Sequence, residues 1–251
     1  MTKRLLLIFV VLAMLLVACG GASTIAEGTL TVCTDAPYEP FEIYADDGTL
    51  TGFDMDMIRE VADRMGLDME PTVVPFDGIW LQPDAGTCDV VVAAMTITPE
   101  RQAQALFADP YFDADQSLLV RAADAGSLTD VAALGGKKVG VQVGTTGEIY
   151  ANENLPDTAE IVSFDEAAGM FLSLASGDID AILQDLPVNG YRSTQDDAFV
   201  VTAKFATGEQ YGFASSLDNV DLIDDINAAL AEMRDDGGYD EIFKKYFGTS
   251  S

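Results

Sequence analysis

Two distant stretches of this chain follow one plan: a turn of Gly and Asp, a short apolar run, and a polar cluster at the end of the run. Gly86-Thr87-Cys88-Asp89 leads into Val90-Val91-Val92-Ala93-Ala94 and ends at Met95-Thr96, while Gly177-Asp178-Ile179-Asp180 leads into Ala181-Ile182-Leu183 and ends at Gln184-Asp185. Continuous apolar runs of this length read as strands buried on both faces, the condition of parallel strands covered by helices. In open parallel sheets ligands bind beyond the carboxyl ends of the strands, so both polar clusters are placed to face one. The repetition predicts two α/β lobes of one design with a cleft between them.

The first cluster, Met95 to Arg101, carries most of the chemistry. Pro99 suits the first turn of a helix and Thr98 its N-cap. Free backbone N–H groups, hydroxyls and a guanidinium fork meeting at one point make a site for a carboxylate or a phosphate. The same residues also fit an ordinary strand-to-helix turn with a solvated Arg101. The second cluster offers the opposite sign at Asp185. A zwitterion with its carboxylate on Arg101 and its ammonium on Asp185 satisfies both.

Elsewhere strands and helices alternate. Leu30 to Cys33 and Thr72 to Val74 read as strands, and Asp54 to Met65 as a helix with Met57, Ile58, Val61, Ala62 and Met65 on one face and Asp54 as its N-cap. The second half brings a strand at Lys138 to Val141, a helix after Thr145 and a strand at Glu160 to Val162. A capping box of Ser163 with Glu166 then opens a helix that Gly177 stops. This order means parallel α/β sheets.

The N-terminus reads as an export signal: Lys3 and Arg4 precede Leu5 to Val17, an apolar run too short for a comfortable membrane span, and small Ala18 follows. Leu16-Val17-Ala18-Cys19 looks like a bacterial lipobox. On that reading residues 1–18 are a lipoprotein signal peptide, Cys19 becomes the lipidated first residue, and residues 19–27 are a small, polar tether. A diacylglycerol there holds a protein at the outer face of a membrane, each buried CH₂ contributing about 0.8 kcal/mol. The alternative is a plain signal peptide and a soluble product.

The chain carries 42 acidic residues against 13 basic ones, a net charge of −29, and loses two more cations with the leader. That balance argues against a nucleic acid or an anionic lipid surface as partner and favours cationic solutes. With no His and no paired-Cys spacing, neither a metal nor a cofactor is expected. Cys33 and Cys88 each adjoin an apolar run. In an exported chain they can pair, although a buried free thiol is the commoner state of a strand cysteine.

Further stretches complete a pattern: Thr34-Asp35-Ala36-Pro37-Tyr38-Glu39-Pro40-Phe41-Glu42, Gly52-Phe53-Asp54-Met55-Asp56, Phe76-Asp77-Gly78 and Phe107-Ala108-Asp109-Pro110-Tyr111. Val139-Gly140-Val141-Gln142-Val143-Gly144-Thr145-Thr146, Asp185-Leu186-Pro187 and Asp236-Gly237-Gly238-Tyr239-Asp240-Glu241-Ile242-Phe243 follow. In this order and spacing, together with Met95 to Arg101, they resemble the extracellular polar amino-acid binding proteins of ABC importers, solute-binding protein family 3, from about Leu30 to Gly248. The resemblance implies a two-lobed, periplasmic-binding-protein-like α/β fold of type II. Residues 28–115 with 214–251 would form one lobe and 116–213 the other, with crossings near Asp115 to Leu119 and Glu209 to Phe213. Hinge closure on a free L-amino acid would then present a monomer to a membrane permease.

The resemblance also implies roles. Arg101 grips the ligand α-carboxylate, helped by Thr96 and by the backbone around Thr145 and Thr146, and Asp185 takes the α-ammonium. Tyr38 and Phe76 sandwich the side chain, and Asp35 accepts from a side-chain amide or cation. Ala94, Met95, Gln142 and Gln184 complete the expected ligand-binding set. Without it, Tyr38 and Phe76 read as core, Asp35 as a turn cap, and Glu42 and Asp77 as undecided between pocket and solvent. Gln142 and Gln184 stand where some acidic-ligand or glutamine binders place Lys or His, so a side-chain carboxylate finds no cation. Arginine or lysine is favoured, then glutamine or another neutral polar residue. Some relatives with this fold are cyclohexadienyl dehydratases, which must protonate a leaving hydroxyl. Without His that work falls to a carboxylic acid with a raised pKa, so a non-enzyme is expected. A receptor's sensing domain would need a downstream membrane or signalling segment, which the sequence to Ser251 does not show.

Overall fold

A computed structural model describes residues 23–248. The leader, Cys19 and the first residues of the tether lie outside the described residues. The chain opens with β1 (Thr29–Thr34), a small hairpin of β2 (Ile43–Tyr44) and β3 (Leu50–Thr51), α1 (Phe53–Met65), β4 (Asp68–Val73), β5 (Val90–Val91), α2 (Pro99–Gln102) and β6 (Leu106–Phe107). β7 (Phe112–Arg121) leads into a second sheet with β8 (Lys138–Gln142), α3 (Thr146–Asn154), β9 (Glu160–Phe164), α4 (Ala167–Ser176), β10 (Ala181–Asp185) and α5 (Leu186–Gln195). β11 (Phe199–Tyr211) returns to the first sheet, where β12 (Ala214–Ser215), α6 (Val220–Asp236) and α7 (Gly238–Phe247) complete it.

The sheets run β4-β1-β5-β12-β6 and β9-β8-β10-β7-β11. Position by position, β1 corresponds to β8, β4 to β9, and β5 to β10, so the two apolar runs that share a plan are the middle strands of two like-ordered sheets. Parallel pairing is confined to β4, β1 and β5 in one sheet and β9, β8 and β10 in the other. Fully parallel sheets do not result, because β7 and β12 enter their sheets from the cleft end and run against the middle strands. β11 and β6 pair antiparallel with those entering strands in turn.

Each sheet is covered on both faces. Leu30, Val32, Val90 and Val92 pack beneath Met57, Ile58 and Val61 of α1 and Leu222, Ile226 and Met233 of α6, while Cys33, Val91, Phe76, Ile79 and Met95 fill the other side. Leu118, Val139, Val141 and Leu183 form one face of the second sheet, and Leu119, Ile182, Met170 and Leu174 the other. Burying each of the larger apolar side chains contributes about 1.5–3 kcal/mol.

Several local expectations change in three dimensions. Cys33 and Cys88 are joined in a disulfide with Cα atoms 5.7 Å apart, rather than left as free thiols. β1 and β5 are bonded neighbours, and it is this pairing, absent from either run alone, that brings the two cysteines together. α1 is capped by Gly52 in place of Asp54, at φ 121°, where a Cβ would collide with the carbonyl of Phe41. The Ser163–Glu166 capping box does not form. Glu166 is itself the N-cap of α4 without a side-chain bond, and Ser163 donates to Glu148 at 3.0 Å. The strand expected over Val90 to Ala94 ends at Val91, because Ala94 turns to φ 44° and gives its N–H to Asp54. Thr98 and Pro99 do start α2, and Gly177 ends α4 in the left-handed region at φ 85°.

Candidate functional site

The carboxyl ends of β1, β5, β8 and β10 converge on one cavity lined by Asp35, Tyr38, Phe76, Ala93, Ala94, Thr96, Arg101, Gln142, Thr145, Thr146 and Asp185. Its volume is about 10 Å³, room for about one water molecule. Anything larger enters only as the walls part.

Arg101 is fixed by α2. Thr98 caps the helix by accepting the N–H of Arg101 at 3.2 Å, which holds the backbone where the side chain turns inward. The guanidinium is buried between the rings of Phe76 and Trp80, 5.2 and 5.1 Å from their centroids. It donates to the carbonyl of Thr96 at 2.7 Å and, across the cleft, to the carbonyl of Gly144 at 3.0 Å. Burial lowers its pKa to about 10, so it stays charged at neutral pH.

Two carboxylates face the same cavity. Asp185, at the end of β10, accepts from Gln116 Nε2 at 2.6 Å, from the hydroxyl of Tyr211 at 2.5 Å and from that of Tyr38 at 3.0 Å. Asp35, just past β1, accepts from Gln142 Nε2 at 2.6 Å. Burial raises each to about 6, against the opposing pull of these hydrogen bonds, and the charge of Glu209 pushes Asp185 further in the same direction. Both are poised to gain a cation. Thr145 spends its hydroxyl on the fold, capping α3 at Glu148 and donating to the Gln142 carbonyl, so its backbone is what it offers the cavity.

The floor is held from below. Asp54 is buried and accepts from the Ala94 N–H and the Tyr111 hydroxyl, both at 2.7 Å, which seats the turn that carries Thr96. The next residues are stitched to the returning strand by bonds from Gly212 N to the Met95 carbonyl and from Ile97 N to the Gln210 carbonyl.

Of the residues expected from the sequence, Asp35, Tyr38, Phe76, Ala94, Thr96, Arg101, Gln142, Thr145, Thr146 and Asp185 meet in this cavity. Met95 and Gln184 do not reach its wall. Side chains alternate along extended backbone, so in β10 Gln184 turns away from Asp185 and donates to Asn189 Oδ1 at 2.8 Å, while Met95, just past the turn at Ala94, is buried in the core with Cys33 and Val91. Glu42 is buried beside Asp54, with its carboxyl held well above the usual range by burial, and Asp77 is exposed. Sequence reasoning missed Gln116, Glu209 and Tyr211. The signal lay in the two expected crossings, which contain all three residues but were read only as hinges. Trp80 was also missed, and nothing in its local sequence marks it. Among the described residues no group of His, Cys, Asp or Glu is arranged to hold a metal ion.

Known proteins match this geometry over nearly the whole chain. The model of the bacterial extracellular solute-binding proteins, family 3, matches residues 30–249. The L-cystine-binding protein TcyJ of Escherichia coli K12 is 32% identical over 223 residues, covering 88% of this chain and 84% of that protein. The histidine-binding periplasmic protein of Salmonella typhimurium is 34% identical over 229 residues, 87% of each. An ancestral arginine-binding protein, solved with arginine and also with glutamine, superposes with a TM-score of 0.83 in both forms at 38% identity. With arginine it covers 88% of this chain and 99% of its own. The family match runs through both like-ordered sheets, both crossings and the charged cavity of this chain, and the chain belongs to the bacterial extracellular solute-binding proteins of family 3.

Proposed function

We propose that this protein is the exported binding component of an ABC importer and takes a free L-amino acid with a basic side chain, arginine or lysine. One observation carries the reading: a single buried guanidinium and two buried carboxylates line one cavity. Arg101 receives the α-carboxylate, aided by N–H groups at the start of α3 around Thr145 and Thr146, where the helix dipole also favours an anion. Asp185 receives the α-ammonium. A cationic side chain then lies against Tyr38 and Phe76 with its charge at Asp35. Gln142 turns its amide N–H towards Asp35 and brings no positive charge, which supports the preference for basic over acidic ligands. The names of the relatives span cystine, histidine, arginine and glutamine, so ligand choice rests on these side chains. Glutamine stands next in order.

Residues 28–115 with 214–251 act as one lobe and 116–213 as the other, closing about β7 and β11 on the ligand. The protein works as a monomer, held at the outer face of the membrane by lipid on Cys19. Mass spectrometry of the native N-terminus decides the anchor, and an unmodified Cys19 in a discarded peptide would remove it. A thermal-shift screen of the mature protein against the twenty amino acids tests the ligand, since binding stabilises by RT ln(1 + [L]/Kd). The largest shifts are expected with arginine or lysine, a smaller one with glutamine and none with glutamate. Glutamate ahead of arginine, or silence throughout, would overturn the assignment.

A further inference from the structure

We propose that Glu209 is a built-in carboxylate that occupies the anion-binding hydroxyls of the cleft and has to be displaced by the carboxylate of the incoming ligand. This rests on the binding reading above and adds a determinant of affinity and specificity to it. Glu209 lies near the end of β11, on the returning crossing, and a single oxygen of its side chain accepts from Thr146 Oγ1 at 2.6 Å, Thr96 Oγ1 at 2.9 Å and Gln116 Nε2 at 3.3 Å. A threonine hydroxyl has one proton to give. The hydroxyls of Thr96 and Thr146, both on the cavity wall, are therefore spent on Glu209.

The bonds also join the lobes. Thr96 follows the middle strand of one sheet and Thr146 opens α3 on the other, so one carboxylate oxygen ties the two sides of the cleft. Among the described residues no cation forms an ion pair with it: Arg101, close enough to feel its charge, directs its N–H groups to the carbonyls of Thr96 and Gly144. Its partners are neutral, and a stronger claimant for them can displace it. Room for the displaced side chain exists behind it, in an open pocket of about 550 Å³ at the hinge whose wall includes Asp113, Asp115, Gly208 and Glu209 itself. The backbone here is already irregular: the β7–β11 register shifts between Phe205 and Glu209, and Gly208 stands at φ 67°. A ligand α-carboxylate backed by Arg101 can win this exchange. A second carboxylate, at the end of the ligand's side chain, would lie at Asp35 instead and be rejected there.

The test compares wild type with Glu209→Ala by calorimetry, using L-arginine and L-argininamide, in which the α-carboxylate is replaced by a neutral amide. Glu209→Ala is expected to tighten L-arginine by about fivefold or more, roughly the competition of one net hydrogen bond, and to leave argininamide unchanged or weaker. Glu209→Gln, which keeps the volume, moves the same way by less. Equal weakening of both probes would make Glu209 an ordinary contact of the ligand's cation and overturn the proposal, as would no change in either. If wild type ignores arginine but answers to glutamine, L-glutamine and its α-amide serve as the pair. A ligand-free arm separates this proposal from the ligand assignment: small-angle scattering should show a larger radius of gyration for Glu209→Ala, and an unchanged radius overturns the proposal even where no amino acid binds.

Discussion

Arg101 is held in place by the fold before any ligand arrives, between two rings and two carbonyls. Truncation to Ala should leave a ligand carboxylate unpaired in a dry cleft and weaken binding on the order of 10²- to 10⁴-fold. Calorimetry on a folded variant checks it, and binding within a few-fold of wild type would show that the carboxylate goes elsewhere. Asp54 is the clearest lesson of this scale. Its sequence context reads as a helix cap, but it sits inside the first turn and bonds Ala94 and Tyr111. Asp54→Ala leaves those two buried donors unsatisfied and should cost about 1–3 kcal/mol in urea denaturation, with weaker binding because Thr96 rides on the same turn. Unchanged stability would return Asp54 to an incidental role. Most of the cavity lining was legible because strand ends announce themselves by apolar runs breaking into polar residues. Gln116, Glu209 and Tyr211, which bond Asp185, Thr96 and Thr146 from behind the lining, were not, because they sit within long crossing strands where nothing local distinguishes a residue that serves the site from its neighbours.

At the scale of elements, two lobes of one design were legible from repeated turn-strand-cluster units, since each unit is a complete local plan. Pairings between elements were not. Whether Cys33 meets Cys88 depends on β5 lying beside β1, and whether a sheet is purely parallel depends on the end from which a distant strand enters. The disulfide spans 55 residues of sequence, worth about 4 kcal/mol in the chain-entropy account of cross-links. Replacing both cysteines by Ser should lower stability by about 2–5 kcal/mol, seen as an earlier urea midpoint. A midpoint that stays put, with the bond confirmed in wild type by thiol titration, would mean that the buried packing around the pair supplies the stability.

For the whole molecule, proton binding pulls fold and function in opposite directions. Burial raises the carboxyls of Asp35, Asp54 and Asp185 from 3.8 to about 6. Between those values the folded chain keeps protons that the unfolded chain has released, so stability rises as pH falls through this window. The net charge of −29 adds in the same sense, since protonation relieves self-repulsion. The ligand-free protein should melt higher at about pH 5 than at about pH 7.5. Affinity for a cationic amino acid should fall over the same interval as Asp35 and Asp185 lose their charge. Calorimetry and melting curves in matched buffers check both, and a melting temperature that drops on acidification would contradict the burial of these groups.

The threading of the chain through its two lobes also sets an order of assembly. The second sheet draws all five strands from one continuous stretch between Phe112 and Tyr211, whereas β12, between β5 and β6 in the first sheet, comes only after it. During synthesis or translocation the first lobe must wait with a gap in its sheet until residues near the C-terminus arrive, while the second has everything it needs. An isolated 112–211 fragment should therefore unfold cooperatively by circular dichroism, and a chain stopped at residue 213 should leave the first lobe open to protease while the second resists. The lobe that begins the protein is the one that finishes last.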